Sequence, residues 1–179
     1  MKILGIDPGF AFIGLGLVEF SSLATRVLHH ETYRTRTTED DHGRLDAIAD
    51  HVFDAIERWQ PDCIGYENQA GVSVGKARED IPVTFASQRV LEVVGIIRAA
   101  ARFNAVPCYV VAPSTVKVAV LGKGGGHAKK DRVKRAIRTI FGLGQCSEHA
   151  ADAIAIAIGT RGKHRQAQLI VESHADVIH

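Results

Sequence analysis

The sequence predicts an α/β fold with a mixed sheet, and the order of its apolar patterns is the reason. Three strand patterns joined by short turns come first, which is typical of an antiparallel meander. Helical and strand patterns then alternate, as in sheets that contain parallel strands covered by helices. The chain has 179 residues and no visible internal repeat, so we expect one domain.

The three strands of the expected meander are short apolar or alternating runs. The first, residues 2–6, is apolar and ends at the turn Asp7-Pro8-Gly9. The second, residues 13–20, contains glycines where another backbone can approach closely. The third, residues 26–36, alternates loosely. A polar, acidic stretch then separates the meander from the helical part of the chain.

The middle of the chain alternates between helix and strand. Apolar residues from Leu45 to Trp59 recur every three or four positions, which predicts an amphipathic helix that Pro61 ends. Four further elements are expected, namely a strand at residues 63–67, a glycine-rich loop at 69–82, a helix at 85–103 and a strand at 107–111.

Helices dominate the last third. We expect three of them, at residues 114–121, 129–141 and 148–160, with a mobile glycine-rich loop at 122–126. Ser147 is a good N-cap for the last helix because its hydroxyl can accept a bond from a free backbone N–H. From Gly162 onward the sequence is polar, and we expect a weakly structured tail. The predicted organisation is therefore one domain at residues 1–160 and a polar C-terminal tail at 161–179.

Composition excludes several classes of protein. Hydrophobic residues make up 46% and charged residues 23%, which is typical of a soluble globular domain and not of a disordered or fibrous chain. The longest apolar run, residues 153–158, is far shorter than the ~20 residues of a membrane span. An acid at position 7 would interrupt the apolar region of a secretory signal, so no such signal is expected. The three cysteines are far apart and form no C-x-x-C motif, so neither a disulfide framework nor a cysteine-based zinc site is expected. We therefore expect a cytoplasmic protein without a membrane partner.

Basic residues cluster in one part of the chain. Eight lie between Lys117 and Arg138, where Asp131 is the only acid. Such a block can attract a polyanion even though the net charge is only +2, although a solvated helix face is the simpler alternative. The candidate DNA-binding residues are Lys117, Lys123, Lys129, Lys130, Arg132, Lys134 and Arg135.

Two carboxylates follow predicted strands. Asp7 comes directly after the first strand, and Glu67 ends the fourth. If these strands are neighbours, both acids face one spot at the edge of the sheet where ligands bind in α/β folds. Turn chemistry alone can also explain Asp7, and Glu67 could simply face water.

The last helix adds a third acid and an imidazole. His149 and Asp152 are three residues apart and share a helix face. Asp152 also shares its face with Ile156, and a buried acid is costly unless it is paired or bound to a metal. The alternatives are a surface acid and a surface histidine in the first turn. Glu148 is adjacent and could replace His149 as a ligand.

Together these residues predict a site for hard divalent cations. Carboxylates with one imidazole suit Mg²⁺ or Mn²⁺ better than zinc. Two ions about 4 Å apart could activate water and stabilise the leaving oxygen in phosphodiester hydrolysis. The basic helix and the glycine-rich loop could supply contacts that position a phosphate backbone.

Four motifs in fixed order now point to a family. They are Ile3-Leu4-Gly5-Ile6-Asp7-Pro8-Gly9 with Gly14-Leu15-Gly16, then Gln60-Pro61-Asp62 with Tyr66-Glu67, then Ala112-Pro113 with Val116-Lys117 and Val120-Leu121-Gly122, and finally Ala150-Ala151-Asp152-Ala153-Ile154-Ala155. In these motifs, up to about residue 160, the chain resembles the RuvC family of Holliday junction resolvases, which are homodimeric nucleases with a ribonuclease-H-like fold.

The resemblance has implications for fold, site and partners. It implies a five-stranded ribonuclease-H-like mixed sheet flanked by helices, with Asp7, Glu67 and Asp152 as metal ligands. His149 occupies a position that is usually Asp in the family, and His is a known variant there. Lys117 and Lys130 fall where family lysines approach the cleaved phosphate. The implied function is the resolution of four-way junctions by paired symmetric nicks, with Mg²⁺ or Mn²⁺ as cofactor and branch-migration machinery as a candidate partner.

One segment departs from the family pattern. The family commonly has an aromatic wedge shortly after the second acid, whereas Asn68-Gln69-Ala70-Gly71 follows Glu67 here, in a segment that is longer than usual. This divergence bears on junction specificity more than on chemistry. A nuclease for forks, flaps or other branches is therefore the alternative function. An actin-like ATPase would need a second lobe, and a non-catalytic DNA-binding module would not need clustered acids.

Overall fold

One mixed sheet forms the centre of the molecule. The computed structural model describes residues 1–67 and 85–175. The predicted loop at 69–82 and the segment in the wedge position lie outside the described residues. Within these ranges the strands are β1 (Lys2–Asp7), β2 (Phe12–Phe20), β3 (Thr25–Arg34), β4 (Cys63–Glu67) and β5 (Cys108–Val111).

The strand order confirms the predicted combination of a meander with parallel strands. The sheet runs β3-β2-β1-β4-β5. Strand β2 pairs antiparallel with both β1 and β3, whereas β4 pairs parallel with both β1 and β5. The first and fourth strands are thus neighbours, which is the condition for Asp7 and Glu67 to meet.

Helices cover both faces of the sheet. They are α1 (Asp41–Trp59), α2 (Phe85–Phe103), α3 (Pro113–Leu121), α4 (Lys130–Phe141) and α5 (Glu148–Ala175). Buried residues of α1 and α2 join one hydrophobic cluster with one face of the sheet, and those of α3, α4 and α5 join a second cluster with the other face. The result is a three-layer sandwich in which α5 lies against the strands that carry the acids.

Glycines let α5 lie directly on the sheet. Gly5 of β1 pairs with Gly16 of β2 on one side and with Gly65 of β4 on the other, so three glycines form a row across the sheet. A Cβ on Gly5 would lie 2.6 Å from the backbone nitrogen of Ala157 and well inside contact distance of the carbonyl oxygen of Ala153. Only a sheet without side chains in this row admits the helix backbone so closely.

The predicted end of the last helix, at Thr160, is wrong. Helix α5 continues to Ala175 and therefore includes most of the expected weakly structured tail. Residues 161–175 contain no proline, and adding residues to a helix that tertiary packing already holds is far easier than starting one. His164 fixes this extension to the sheet, since it is buried and its Nδ1 lies 3.2 Å from the hydroxyl of Tyr109. The division of the chain at residue 160 stays a prediction.

The glycine-rich stretch at 122–126 is also more regular than expected. A short 3-10 helix, Gly125–His127, follows the end of α3, and Gly125 is buried. None of the helices described is long and apolar enough to cross a membrane.

Candidate active site

The alternation of side chains along the strands puts Asp7 and Glu67 on the face that α5 covers. On β1, Ile3 belongs to the cluster on the α5 face and Leu4 to the cluster on the opposite face. Asp7 is four residues after Ile3 and therefore shares its face. Glu67 is likewise four residues after Cys63, which packs on the α5 face. Ile6 pairs with Tyr66, and each acid is the next residue along its strand, so Asp7 and Glu67 lie side by side at adjacent strand ends.

The first turn of α5 brings His149 to Asp7. Ser147 caps the helix as predicted, because its Oγ accepts a hydrogen bond from the backbone N–H of Ala150 at 3.1 Å. His149 lies in the turn that follows, and its Nδ1 is 2.8 Å from Oδ2 of Asp7. Asp7 is only 6% exposed, so His149 provides a hydrogen-bond partner for a buried carboxylate.

An aromatic contact that sequence reasoning missed orients His149. The ring of Phe12 stacks on the imidazole with a centroid distance of 5.4 Å and an interplanar angle of 10°. Phe12 begins β2, a few residues after the Asp7 turn, and its position between the two halves of the first motif is the only signal for it. The stacked ring and the Asp7 bond together hold the imidazole in one orientation.

A cleft brings the other two acids together with two lysines. It has a volume of about 220 Å³, and the charged residues that line it are Glu67, Lys117, Lys130 and Asp152. Lys117 comes from α3 and Lys130 begins α4, so three helices and a strand end contribute to the cleft. Asp7 and His149 do not line it. The structure thus brings both predicted phosphate-contacting lysines to the predicted acids.

Burial and mutual repulsion shift the titration of these acids. Burial raises the pKa of Glu67, which Asp7 and Asp152 raise further, whereas Lys130 and Lys117 lower it. Burial is also the main cause that raises the pKa of Asp152, and the charge of Asp7 adds to it. The acids are therefore close enough to repel one another, and the nearby cations do not fully offset the combined effect of burial and repulsion on the pKa of Glu67 and Asp152.

The donor set fits a hard divalent cation. Three carboxylates and one imidazole offer the oxygen and nitrogen ligands that Mg²⁺ and Mn²⁺ prefer. Within residues 1–67 and 85–175, no three His, Cys, Asp or Glu side chains already stand in positions to ligate one ion. Instead, Asp7 bonds to His149, and Asp152 Oδ2 lies 3.9 Å from Nζ of Lys134. The metal-ligand role of these residues thus stays a prediction.

Lys134 does not lie where a DNA-contacting residue should. It is buried on the inner face of α4, and its Nζ lies 3.0 Å from Oε2 of Glu148. The sequence prediction failed here because Val133 and Ile137 define the buried face of α4, and a lysine stem beside them can be buried too. The remaining basic candidates in this part of the chain are exposed, namely Lys123, Lys129, Lys130, Arg132 and Arg135, and Lys117 is half-buried.

Comparisons with known proteins agree with this architecture. A family model described as crossover junction endodeoxyribonuclease RuvC matches residues 3–160. The chain is 34% identical over 167 residues to the crossover junction endodeoxyribonuclease RuvC of Moorella thermoacetica, which covers 88% of this chain and 89% of that protein. The chain belongs to the RuvC family. This membership confirms the predicted family and the predicted class of enzyme.

Solved structures of RuvC confirm the predicted ribonuclease-H-like fold class. Thermus thermophilus RuvC in complex with a Holliday junction substrate superposes with a TM-score of 0.75 at 31% identity, covering 93% of this chain and 96% of that one. The structure of T. thermophilus RuvC alone gives a TM-score of 0.73. The RuvC family is one of metal-dependent nucleases, which agrees with the donor set that Asp7, Glu67, Asp152 and His149 provide.

The raised pKa of Glu67 predicts how stability depends on pH. A raised pKa in the folded state means that the ionised side chain destabilises the fold, so this cost is present at high pH and disappears as pH falls through the folded-state pKa. In chelator, Glu67→Gln should therefore raise the melting temperature at pH 8 and much less at pH 5. Each 1 kcal/mol of relieved cost corresponds to about 2–4 °C.

The matched control for this prediction is Glu57→Gln, which changes an exposed glutamate of α1. This variant should leave the melting temperature nearly unchanged at both values of pH. A decrease for Glu67→Gln at pH 8, or a gain that does not depend on pH, would contradict the assigned electrostatics.

Proposed function

We propose that this chain is a metal-dependent endonuclease that resolves four-way DNA junctions, acting as a homodimer that places symmetric nicks across the branch point. The observation that carries the proposal is the convergence of Asp7, Glu67 and Asp152 with two lysines at one end of the sheet. Membership of the RuvC family supports it, and so does the similarity to a RuvC protein that was solved with a Holliday junction substrate.

In this proposal the three carboxylates and His149 hold Mg²⁺ or Mn²⁺, with two ions in each site. Bound cations would activate a water molecule and stabilise the leaving oxygen of the phosphodiester. Asp7 and Glu67 come from rigid strand ends and Asp152 from a buried helix, so the ligands are positioned by the core and not by loops.

The second nitrogen of His149 is its proposed ligand atom. Its Nδ1 bonds to Asp7, so Nε2 is left to face a cation, and the Asp7 bond fixes the tautomer that makes this possible. The stacked Phe12 ring prevents the imidazole from rotating away. His149 thereby couples the buried carboxylate to the rest of the ligand set.

Lys117 and Lys130 are proposed to contact the scissile phosphate. Both lysines line the cleft together with Glu67 and Asp152, so a phosphate that enters it meets positive charge as well as the acids. An ammonium there stabilises the negative charge that develops on the phosphate oxygens during attack. In free protein the same lysines partly neutralise Glu67.

The exposed basic residues around the cleft are proposed to hold the DNA backbone. Lys123 and Lys129 flank the 3-10 helix Gly125–His127, and Arg132 and Arg135 are exposed residues of α4, close in sequence to Lys130. Contacts of this kind fix the position of the duplex without selecting its sequence.

Salt dependence tests this surface. Arg132→Gln combined with Arg135→Gln should weaken junction binding and lower the slope of log affinity against log salt concentration by about 1–2, since each phosphate contact adds about 0.9. Arg58→Gln, an exposed arginine of α1 on the other face of the sheet, is the matched control and should leave the slope unchanged. An unchanged slope in the double variant would exclude this surface from the interface.

A panel of DNA substrates tests the proposed activity. Four-way junction, fork, flap and linear duplex are incubated with the protein in Mg²⁺ or Mn²⁺, and the cut positions are mapped on each strand. We expect paired, symmetric nicks in the four-way junction. Cleavage of forks or flaps with an intact junction would favour the alternative nuclease. Binding without cleavage of any substrate would favour the non-catalytic module.

Two further expectations stay predictions. The cytoplasmic location is one, and a functional link to branch-migration machinery is the other. Co-purification of the chain with a DNA-translocating ATPase on a four-way junction would test the second of these.

A further inference from the structure

Lys134 has no role in the proposed reaction, yet its side chain is buried beside two acids. Among the residues that the structure describes, it is the only buried lysine or arginine. Its Nζ lies 3.0 Å from Oε2 of Glu148 and 3.9 Å from Oδ2 of Asp152. A proposed metal ligand therefore has a fixed ammonium group of the protein as its close neighbour.

Glu148 determines how strongly this ammonium acts on Asp152. The Lys134–Glu148 contact is the shorter of the two, and the side chain of Glu148, the first residue of α5, is 71% exposed. Glu148 thus holds the ammonium group in place and weakens its effect on Asp152. The two charges sum to zero, so removing the charge of either residue changes the net charge beside Asp152 by one unit.

We infer that the Lys134–Glu148 pair sets the affinity of the acid cluster for its divalent cation, with Lys134 opposing cation binding and Glu148 restraining Lys134. The inference rests on the proposed function, because it takes Asp152 as a metal ligand. It differs from a purely structural role in linking α4 to α5, since such a role predicts no particular sign for the change in metal affinity.

Electrostatics gives each variant a direction. K134M removes a positive charge near the cluster while its apolar side chain fills the same buried space, so cation affinity should rise. E148Q frees the ammonium to move onto Asp152, so affinity should fall. One unit charge about 5 Å from a divalent ion in a water-like dielectric changes affinity by roughly tenfold.

The test is calorimetric titration of the metal-free full-length protein with Mn²⁺ at pH 8, without DNA. We expect K134M to bind about tenfold more tightly and E148Q to bind several-fold more weakly. The double variant K134M/E148Q should return to within about twofold of the wild-type affinity, because the charge beside Asp152 is restored. K134R keeps the charge and should also stay near wild type.

Other outcomes would overturn the inference. Equal or weaker Mn²⁺ binding by K134M would overturn it, as would a double variant that binds Mn²⁺ as weakly as E148Q alone. E148Q changes an exposed side chain and keeps the fold, so its unchanged or raised affinity would overturn the inference independently of K134M. The variant D152N distinguishes failure of this inference from failure of the proposed function. If D152N binds Mn²⁺ as tightly as wild type, the proposed metal site is wrong. If D152N binds Mn²⁺ more weakly but K134M has wild-type affinity, only the inference is wrong.

Discussion

Asp152→Asn should abolish junction cleavage while leaving junction binding intact or stronger. The amide keeps the size of the side chain but removes the charge that the proposed cation requires. We expect a loss of at least about a thousandfold in the cleavage rate, equivalent to about 4 kcal/mol in the activation barrier. Binding in chelator should not fall, because one fewer carboxylate repels the DNA phosphates. Gel-based binding and single-turnover cleavage on the same junction measure both effects.

Asp7→Asn and Glu67→Gln should behave in the same way, since each removes one carboxylate from the same cluster. Asp54→Asn, which changes an exposed acid of α1, is the control and should cleave at the wild-type rate. Loss of junction binding in any of the three site variants would show that these acids maintain the fold or contact DNA. Cleavage at a near-normal rate in all three would remove them from the reaction.

Gly5→Ala is expected to be the most damaging small substitution in the sheet. The added methyl group would press on the backbone of α5 at Ala153 and Ala157, and backbone cannot rotate out of the way as a side chain can. Overpacking of this kind costs about 3 kcal/mol, which is a drop of about 6–12 °C in melting temperature. The shift of α5 would also move Asp152, so the remaining folded protein should cleave poorly.

The control for Gly5→Ala is a glycine of α5, the helix that Gly5→Ala would disturb. Gly162 is within α5, and a Cβ added there would meet no atom within 4 Å. Gly162→Ala should therefore stabilise the protein by about 0.5–1 kcal/mol. Calorimetric unfolding of both variants checks the prediction. A destabilised Gly162→Ala would indicate that α5 does not continue through this residue, and a neutral Gly5→Ala would contradict the close approach of helix and sheet.

Strand patterns made the end of the sheet that carries Asp7 and Glu67 predictable. Apolar runs that stop at an acid locate Asp7 and Glu67 at strand ends, and parallel pairing of β1 with β4 brings these ends together. The alternation of side chains then decides which face both acids occupy. For Asp152 the signal was a charged residue on an otherwise apolar helix face, which is rare without a partner.

Contacts between distant segments could not be predicted. The basic composition of α4 suggested that Lys134 faces DNA, but periodicity alone does not show which long side chains fold back into the core. Its partner Glu148 lies on another helix, and their meeting depends on how α4 packs against α5. The stacking of Phe12 on His149 depends in the same way on packing between β2 and α5.

Helix length was the other weakness of the sequence prediction. Gly162 and the polar residues after it suggested an end for α5, but a glycine costs a helix only about 1 kcal/mol. The long, mostly buried segment from Ala150 to Ala157 holds the helix on the sheet, and His164 adds a further buried contact two residues beyond the glycine. Local propensity gives no information about such anchoring.

Anomalous diffraction from crystals grown with Mn²⁺ is the most direct test of the central claim. The account predicts a manganese peak among the carboxylates of Asp7, Glu67 and Asp152, in crystals of protein that cleaves a four-way junction with the same metal. A protein that cleaves the junction with Mn²⁺ but shows no peak among these three side chains, or a peak elsewhere, would contradict it.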